Sequence, residues 1–145
     1  MGTNTKMYKT IAETNEFITQ LQQLTADIDR SAFELFVIPS FTTLDSAGRK
    51  KQPGLLKLGA QNMGWADEGQ FTGEISPRML KEVGCDLVMV GHSERRHVFL
   101  ETDEMENRKV LCALQRGFAH SGRRSTAGPI NGKRQIWPAS ALDRA

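Results

Sequence analysis

The run Leu87-Val88-Met89-Val90, inside the segment Cys85–Val90, has no polar face and stops at Gly91. A strand that is apolar on both sides must be covered on both sides, as in a parallel sheet flanked by helices. Parallel strands also need a crossover between them, usually a helix. The rest of the chain supplies both. Thr10 and Glu13 make the T-x-x-E pattern of a capping box, and Phe17, Leu21, Leu24 and Ile28 follow at helical spacing. Residues 33–40, FELFVIPS, are aromatic and β-branched and read as a strand. Residues 42–51 carry a weaker helical pattern, and residues 55–62 read as a second strand. Residues 63–75 contain Gly64, Gly69 and Gly73 without a period, and read as a loop. Ser76 and Pro77 offer an N-cap and a first-turn proline to a helix that ends at Gly84. Residues 102–117 open with acidic side chains, which suits a helix N-terminus, and Leu111, Leu114 and Phe118 give them an apolar face. Strands and helices alternate, so the fold class is α/β.

In such folds function gathers at the C-terminal ends of the strands. Those ends are polar here: Ser40-Phe41-Thr42, Gln61-Asn62 and His92-Ser93-Glu94. The apolar strand therefore delivers His92 to the rim, and the residues after it supply backbone amides. Charge narrows the choice of partner. Of a net +2, residues 119–145 hold five basic side chains against Asp143 alone, so residues 1–118 carry −2. An acidic body gives no reason to expect nucleic acid as a partner. Cys85 and Cys112 are far apart in apolar surroundings and read as buried free thiols of a reducing compartment. No basic-then-apolar leader is present, and no apolar run nears the ~20 residues of a membrane span. A cytoplasmic protein without membrane contact is expected.

Three segments carry a resemblance. GAQNMGWADEGQFTGEISPRML, VGHSERR and GTNTKMYKT resemble motifs of the triosephosphate isomerase family, over about residues 2–118. The resemblance implies an eight-stranded (β/α) TIM barrel, of which residues 1–118 would be the N-terminal half with about four strand–helix units. It implies an aldose–ketose isomerase of glycolysis and gluconeogenesis, interconverting dihydroxyacetone phosphate and glyceraldehyde 3-phosphate. The partner is then a small phosphorylated sugar, the family is homodimeric, and neither cofactor nor metal is expected. By motif position, His92 is the catalytic electrophile, and Asn4 and Lys6 bind substrate. Glu94 orients the lysine, Ser93 lines the site, and Thr72 reaches a neighbouring subunit on the dimer loop. Triosephosphate isomerase is itself the standard example of a neutral histidine electrophile. The residue chemistry agrees. A neutral imidazole can donate to a carbonyl becoming an enediolate, amides after His92 favour the neutral ring, and Lys6 offers a compact cation to a phosphate.

The chain departs from the family in three ways. A full barrel needs ~250 residues, and the resemblance stops near residue 118. The family's catalytic glutamate and glycine-rich phosphate cradle belong to the later half, and no segment resembles either. The chain alone is expected to lack the base and to be inactive, with Glu74 or Glu101 only loop carboxylates without packed support. The start falls inside strand one. Residues 119–145, with three Gly, two Pro and five basic residues, are expected to be an unmatched basic tail, disordered or out of frame, with the next strand missing. Finally, Thr5 and Tyr8 stand where the family usually has an aromatic residue and an asparagine. An isomerase of a four-carbon ketose phosphate, or a non-catalytic truncated fragment, is the alternative. A half-barrel should also expose two sheet edges and one sheet face, which favours association.

Overall fold

The computed structural model describes residues 1–120. Five strands, β1 (Gly2–Asn4), β2 (Phe36–Ile38), β3 (Lys57–Ala60), β4 (Leu87–Val88) and β5 (Ala119–His120), pair in parallel in the order β1-β2-β3-β4-β5. The crossovers carry α1 (Ile11–Leu24), α2 (Phe41–Lys50), α3 (Pro77–Glu82), α4 (Ser93–His97) and α5 (Asp103–Gln115). The alternation expected from the sequence is present. One expectation is corrected: the next strand is not missing, because Ala119 pairs with Leu87 and His120 with Val88 as β5. The other expectations for residues 119–145 lie outside the described residues.

The caps lie where the side chains place them. Thr10 and Glu13 close a reciprocal capping box on α1, the Ser76 hydroxyl accepts from the Met79 amide, and the Thr102 hydroxyl accepts from the Met105 amide. The expected apolar face of α1 holds in part: Phe17 and Leu21 are partly buried against the core. The helix ends at Leu24, which is exposed, as is Ile28 beyond it, while Thr14, Ile18 and Gln22 point inward. Gln22 is a polar residue with partners inside. Its amide nitrogen donates to Lys50 O (3.2 Å) and its oxygen accepts from the Gln52 amide (2.6 Å). This polar side chain thereby satisfies backbone groups at the end of α2.

Strand alternation sorts the core into two faces. Val37, Leu58, Ala60 and Val88 pack with Ile18, Leu44, Ala47 and Leu80 beneath the helices. Ile38, Gly59 and Leu87 share the opposite face. That face was expected to stand bare, but Ile38 and Leu87 are 0% and 4% exposed. They close over Gly59, where a Cβ would lie 2.7 Å from Ile38 Cγ1 and 2.6 Å from Leu87 Cδ1. Cys85 and Cys112 are free and buried, and burial pushes the Cys85 thiol up to about 12.

The tightest constraint on the helical layer is Gly48 in α2. A Cβ there would fall 2.2 Å from the carbonyl oxygen of Val83 at the end of α3. A main-chain atom cannot swing aside as a side chain can. Gly48→Ala should therefore destabilise the fold by about 1–3 kcal/mol, the usual range for overpacking, despite alanine's better helix propensity. Urea denaturation of the two chains checks this. A stability equal to or above that of the parent would show that α2 and α3 are not in this contact.

Candidate active site

Because the strands are parallel, their C-terminal ends form one rim. Asn4 ends β1 on the same face as Ile38, Gly59 and Leu87. Gln61, two residues beyond Gly59, and Met89, two beyond Leu87, continue that face. The side chains meet accordingly. Gln61 Nε2 donates to Asn4 Oδ1 (3.1 Å) and Lys6 O (2.8 Å), and Asn4 Nδ2 lies 3.6 Å from Met89 Sδ. Asn4 Oδ1 also accepts from the Lys6 amide at 2.8 Å. This local turn holds Lys6 at φ 54°, a left-handed conformation rare for a lysine. The lysine head is thereby turned toward the end of β4, where its Nζ pairs with Glu94.

His92 is the N-cap of α4, in extended backbone at φ −62° and ψ 140°. Its Nδ1 accepts from the Glu94 amide at 3.2 Å. A ring nitrogen that accepts carries no proton, so the neutral ring bears its hydrogen on Nε2. The Glu94 carboxylate lies 3.5 Å from the same Nδ1. That approach is an ion pair only when the ring is protonated. The hydrogen bond from Lys6 holds the Glu94 carboxyl below the usual carboxylate range, so the Lys6–Glu94 pair survives mild acid.

Of the residues singled out from sequence, Asn4, Lys6, His92 and Glu94 come together at this rim. Ser93 is exposed at the first position of α4. Thr72 is not joined to the cluster among the described residues. It lies on the exposed turn of residues 71–74, closed by the Glu74 amide on Phe71 O at 3.0 Å, with Trp65 edge-on to Phe71 at 5.6 Å. Gln61 was not assigned a role, although its position two residues past Gly59 on the rim face was a readable signal.

The reading of Glu101 is corrected. It is no unsupported loop carboxylate but is 6% exposed. Its Oε1 accepts from Arg95 Nη2 (2.7 Å), Lys109 Nζ (2.6 Å) and Asn62 Nδ2 (3.2 Å). Lys109, whose side chain is 1% exposed, also donates to Asn62 Oδ1 at 3.0 Å. Arg96 pairs with Asp103 and Glu106. The charged run of residues 94–96 is therefore an ordered set of ion pairs that fastens α4 to the turn after β1, to the segment before α5 and to α5 itself.

The fold and rim define an α/β chain of the barrel class with a histidine and a lysine at the C-terminal ends of its strands. The sequence model described as triosephosphate isomerase matches residues 1–120. The chain belongs to the triosephosphate isomerase family. It is 46% identical to the triosephosphate isomerase of Dictyoglomus thermophilum, covering 81% of this chain and 47% of that one. It is 45% identical to the L-erythrulose-1-phosphate isomerase of Mesorhizobium japonicum, covering 81% and 46%. It superposes on the crystal structure of triosephosphate isomerase from Bartonella henselae with a TM-score of 0.75 and 32% identity, covering 84% and 49%. The chain thus spans about half the length of the curated relatives it matches. Among the described residues no helix is long and apolar enough to cross a membrane.

Burial pushes the Glu101 carboxyl up, but the hydrogen bonds from Lys109 and Arg95 outweigh it and hold it below its ordinary value. A carboxyl depressed in the folded state stabilises the fold above its unfolded value and loses that contribution as pH falls through the depressed one. Glu101→Gln should cost about 3–5 kcal/mol near neutral pH, the range for breaking a buried pair, and should flatten the acid limb of stability. Urea midpoints from neutral pH down through the carboxylate range measure both. An unchanged acid limb would mean that Glu101 is not ionised in the fold.

Proposed function

We propose that this rim is the electrophile-bearing half of an aldose–ketose isomerase site for a small phosphorylated sugar. The observation that carries it is the acceptor role of His92 Nδ1, which puts the proton of the neutral ring on Nε2. In the proposed reaction a base removes the proton alpha to the substrate carbonyl and returns it to the neighbouring carbon. Nε2–H polarises the carbonyl oxygen and stabilises the enediolate, a preorganised donor aimed at developing charge. Lys6, aimed by Glu94, draws in the phosphorylated substrate, and Asn4 and Gln61 fix the lysine backbone.

The base is a different matter. Glu94 is engaged by Lys6 and Glu101 by Arg95 and Lys109, while Glu74 is on an exposed turn. None of these three stands unengaged in the rim cluster, and in this reading the chain alone is inactive. Its triose substrates follow from the family resemblance. A four-carbon ketose phosphate is the second reading, supported by relatives named for L-erythrulose 1-phosphate at identities of 45% and 47%. Thr5 and Tyr8 at the rim motif also favour it. Cytoplasmic location, a homodimer, and insertion of Thr72 into a second copy complete the proposal.

A coupled assay tests it. The purified chain should show no turnover of dihydroxyacetone phosphate. Joined to the second half of the Dictyoglomus thermophilum relative, it should turn over, and His92→Ala in that chimera should lower kcat by about 10²-fold or more. Turnover by the chain alone that His92→Ala abolishes would reveal a base within it. A folded chimera active only on L-erythrulose 1-phosphate would replace the triose substrate.

A further inference from the structure

Glu106 projects from α5 and is 5% exposed. Its Oε2 pairs with Arg96 Nη1, and its Oε1 is buried without a hydrogen-bond partner among the described residues. A buried carboxylate with one unsatisfied oxygen is costly, and neither the rim cluster nor the Glu101 pair uses it. Its place is informative. A Cβ on Gly91 would fall 3.1 Å from Glu106 Oε2 and 3.3 Å from its carboxyl carbon. Gly91, at φ +73°, is the residue that turns the chain from β4 into His92. Arg96 belongs to α4, the helix whose Glu94 amide holds His92 Nδ1. One carboxylate thus meets the backbone just before the histidine and anchors the helix just after it.

We propose that Glu106 is a positioning residue for His92, seated against Gly91 and paired with Arg96 so that α4 is locked on α5 with imidazole Nε2 turned to the rim. The proposal rests on the isomerase reading for what Nε2 does there, not for how the ring is held. Arg96 from α4 pairs with this carboxylate, and the charges of Asp103 and Lys109 from α5 and of Glu101 from the intervening connection act on it. Burial raises its pKa above the ordinary value; Arg96 opposes that, and Asp103 adds to it. Protonation on acidification therefore comes earlier than for an ordinary glutamate. It weakens the Arg96–Glu106 pair and leaves Arg96–Asp103 in place, so the hold on His92 loosens as pH falls through the raised value.

The test is the nitrogen NMR spectrum of the His92 ring in the full chain, which reads the tautomer without any substrate. The parent should show one form, protonated at Nε2 with Nδ1 bare. Glu106→Gln, close to the same shape, and Arg96→Lys, which keeps the charge, should each lose that single-form signature, and the double variant should change it no further. Glu104→Gln removes a charge from the same first turn, from an exposed pair with Arg108, and should leave the signature intact. An unaltered ring in folded Glu106→Gln or Arg96→Lys overturns the proposal, as does additivity in the double variant or an equal change in Glu104→Gln. The proposal stands, and only the isomerase reading falls, if the signature behaves as expected while the completed barrel lacks turnover.

Discussion

Each strand of this chain is joined to the next by a helical crossover, and that connection leaves parallel pairing as the way to satisfy the strand backbone. The consequence reaches beyond hydrogen bonding. Strands laid parallel in sequential order put their C-terminal ends on one rim. Residues 85 positions apart, Asn4 and Met89, then come within contact. The face that carries them is fixed by the period of two. Asn4, Gln61 and Met89 fall in step with Ile38, Gly59 and Leu87, and a one-residue slip would turn every one of them under the helices.

Behind the rim lies a layer of charge that a core of this size would ordinarily exclude. Lys109, Glu101 and Glu106 are all buried, and each lies against an arginine or a carboxylate from the α4 region. Replacing such pairs by apolar groups is often neutral or stabilising, so bulk stability is a weak explanation for them. What they provide is direction. Arg95 and Arg96 leave α4 on adjacent residues and take separate partners, Glu101 and the Asp103–Glu106 pair. A five-residue helix has few intrahelical bonds to define it. Two anchored guanidinium groups fix its axis, and with it the amide that meets His92.

Much of this was legible in the residues. The capping patterns at Thr10 and Ser76 and the acidic first turn that follows Thr102 are local chemistry, and they marked helix starts to within a residue. The rim histidine was legible because an apolar run ending in Gly-His leaves the ring nowhere else to go. What stayed hidden depends on contacts distant in sequence. The burial of Gln22 follows from its reach to the end of α2, which no spacing within α1 reveals. The role of Glu101 needed Lys109 and Asn62, one on the next helix and one at the end of another strand. β5 was missed because two residues, Ala119 and His120, carry no period, and their strand character comes from the edge of β4.

The parts of the rim can also be ranked by what holds what. Lys6 and Glu94 are substantially exposed, at 37% and 49% of their side-chain surface, and exposed pairs contribute little to stability. Their pairing cannot be what forces Lys6 into a left-handed backbone, a conformation that costs on the order of 1–3 kcal/mol. The Lys6 amide on Asn4 Oδ1 and Gln61 Nε2 on Lys6 O can offset most of that, since each hydrogen bond is worth about 1 kcal/mol net. The order of causation therefore runs outward from the sheet. Pairing of β1, β2 and β3 sets Asn4 beside Gln61, those two fix the turn at Lys6, and the turn presents the ammonium to the end of β4. Glu94 then only has to choose its direction, and the same residue offers its amide to His92. The backbone and side chain of one residue thus orient both the Lys6 ammonium and the His92 ring.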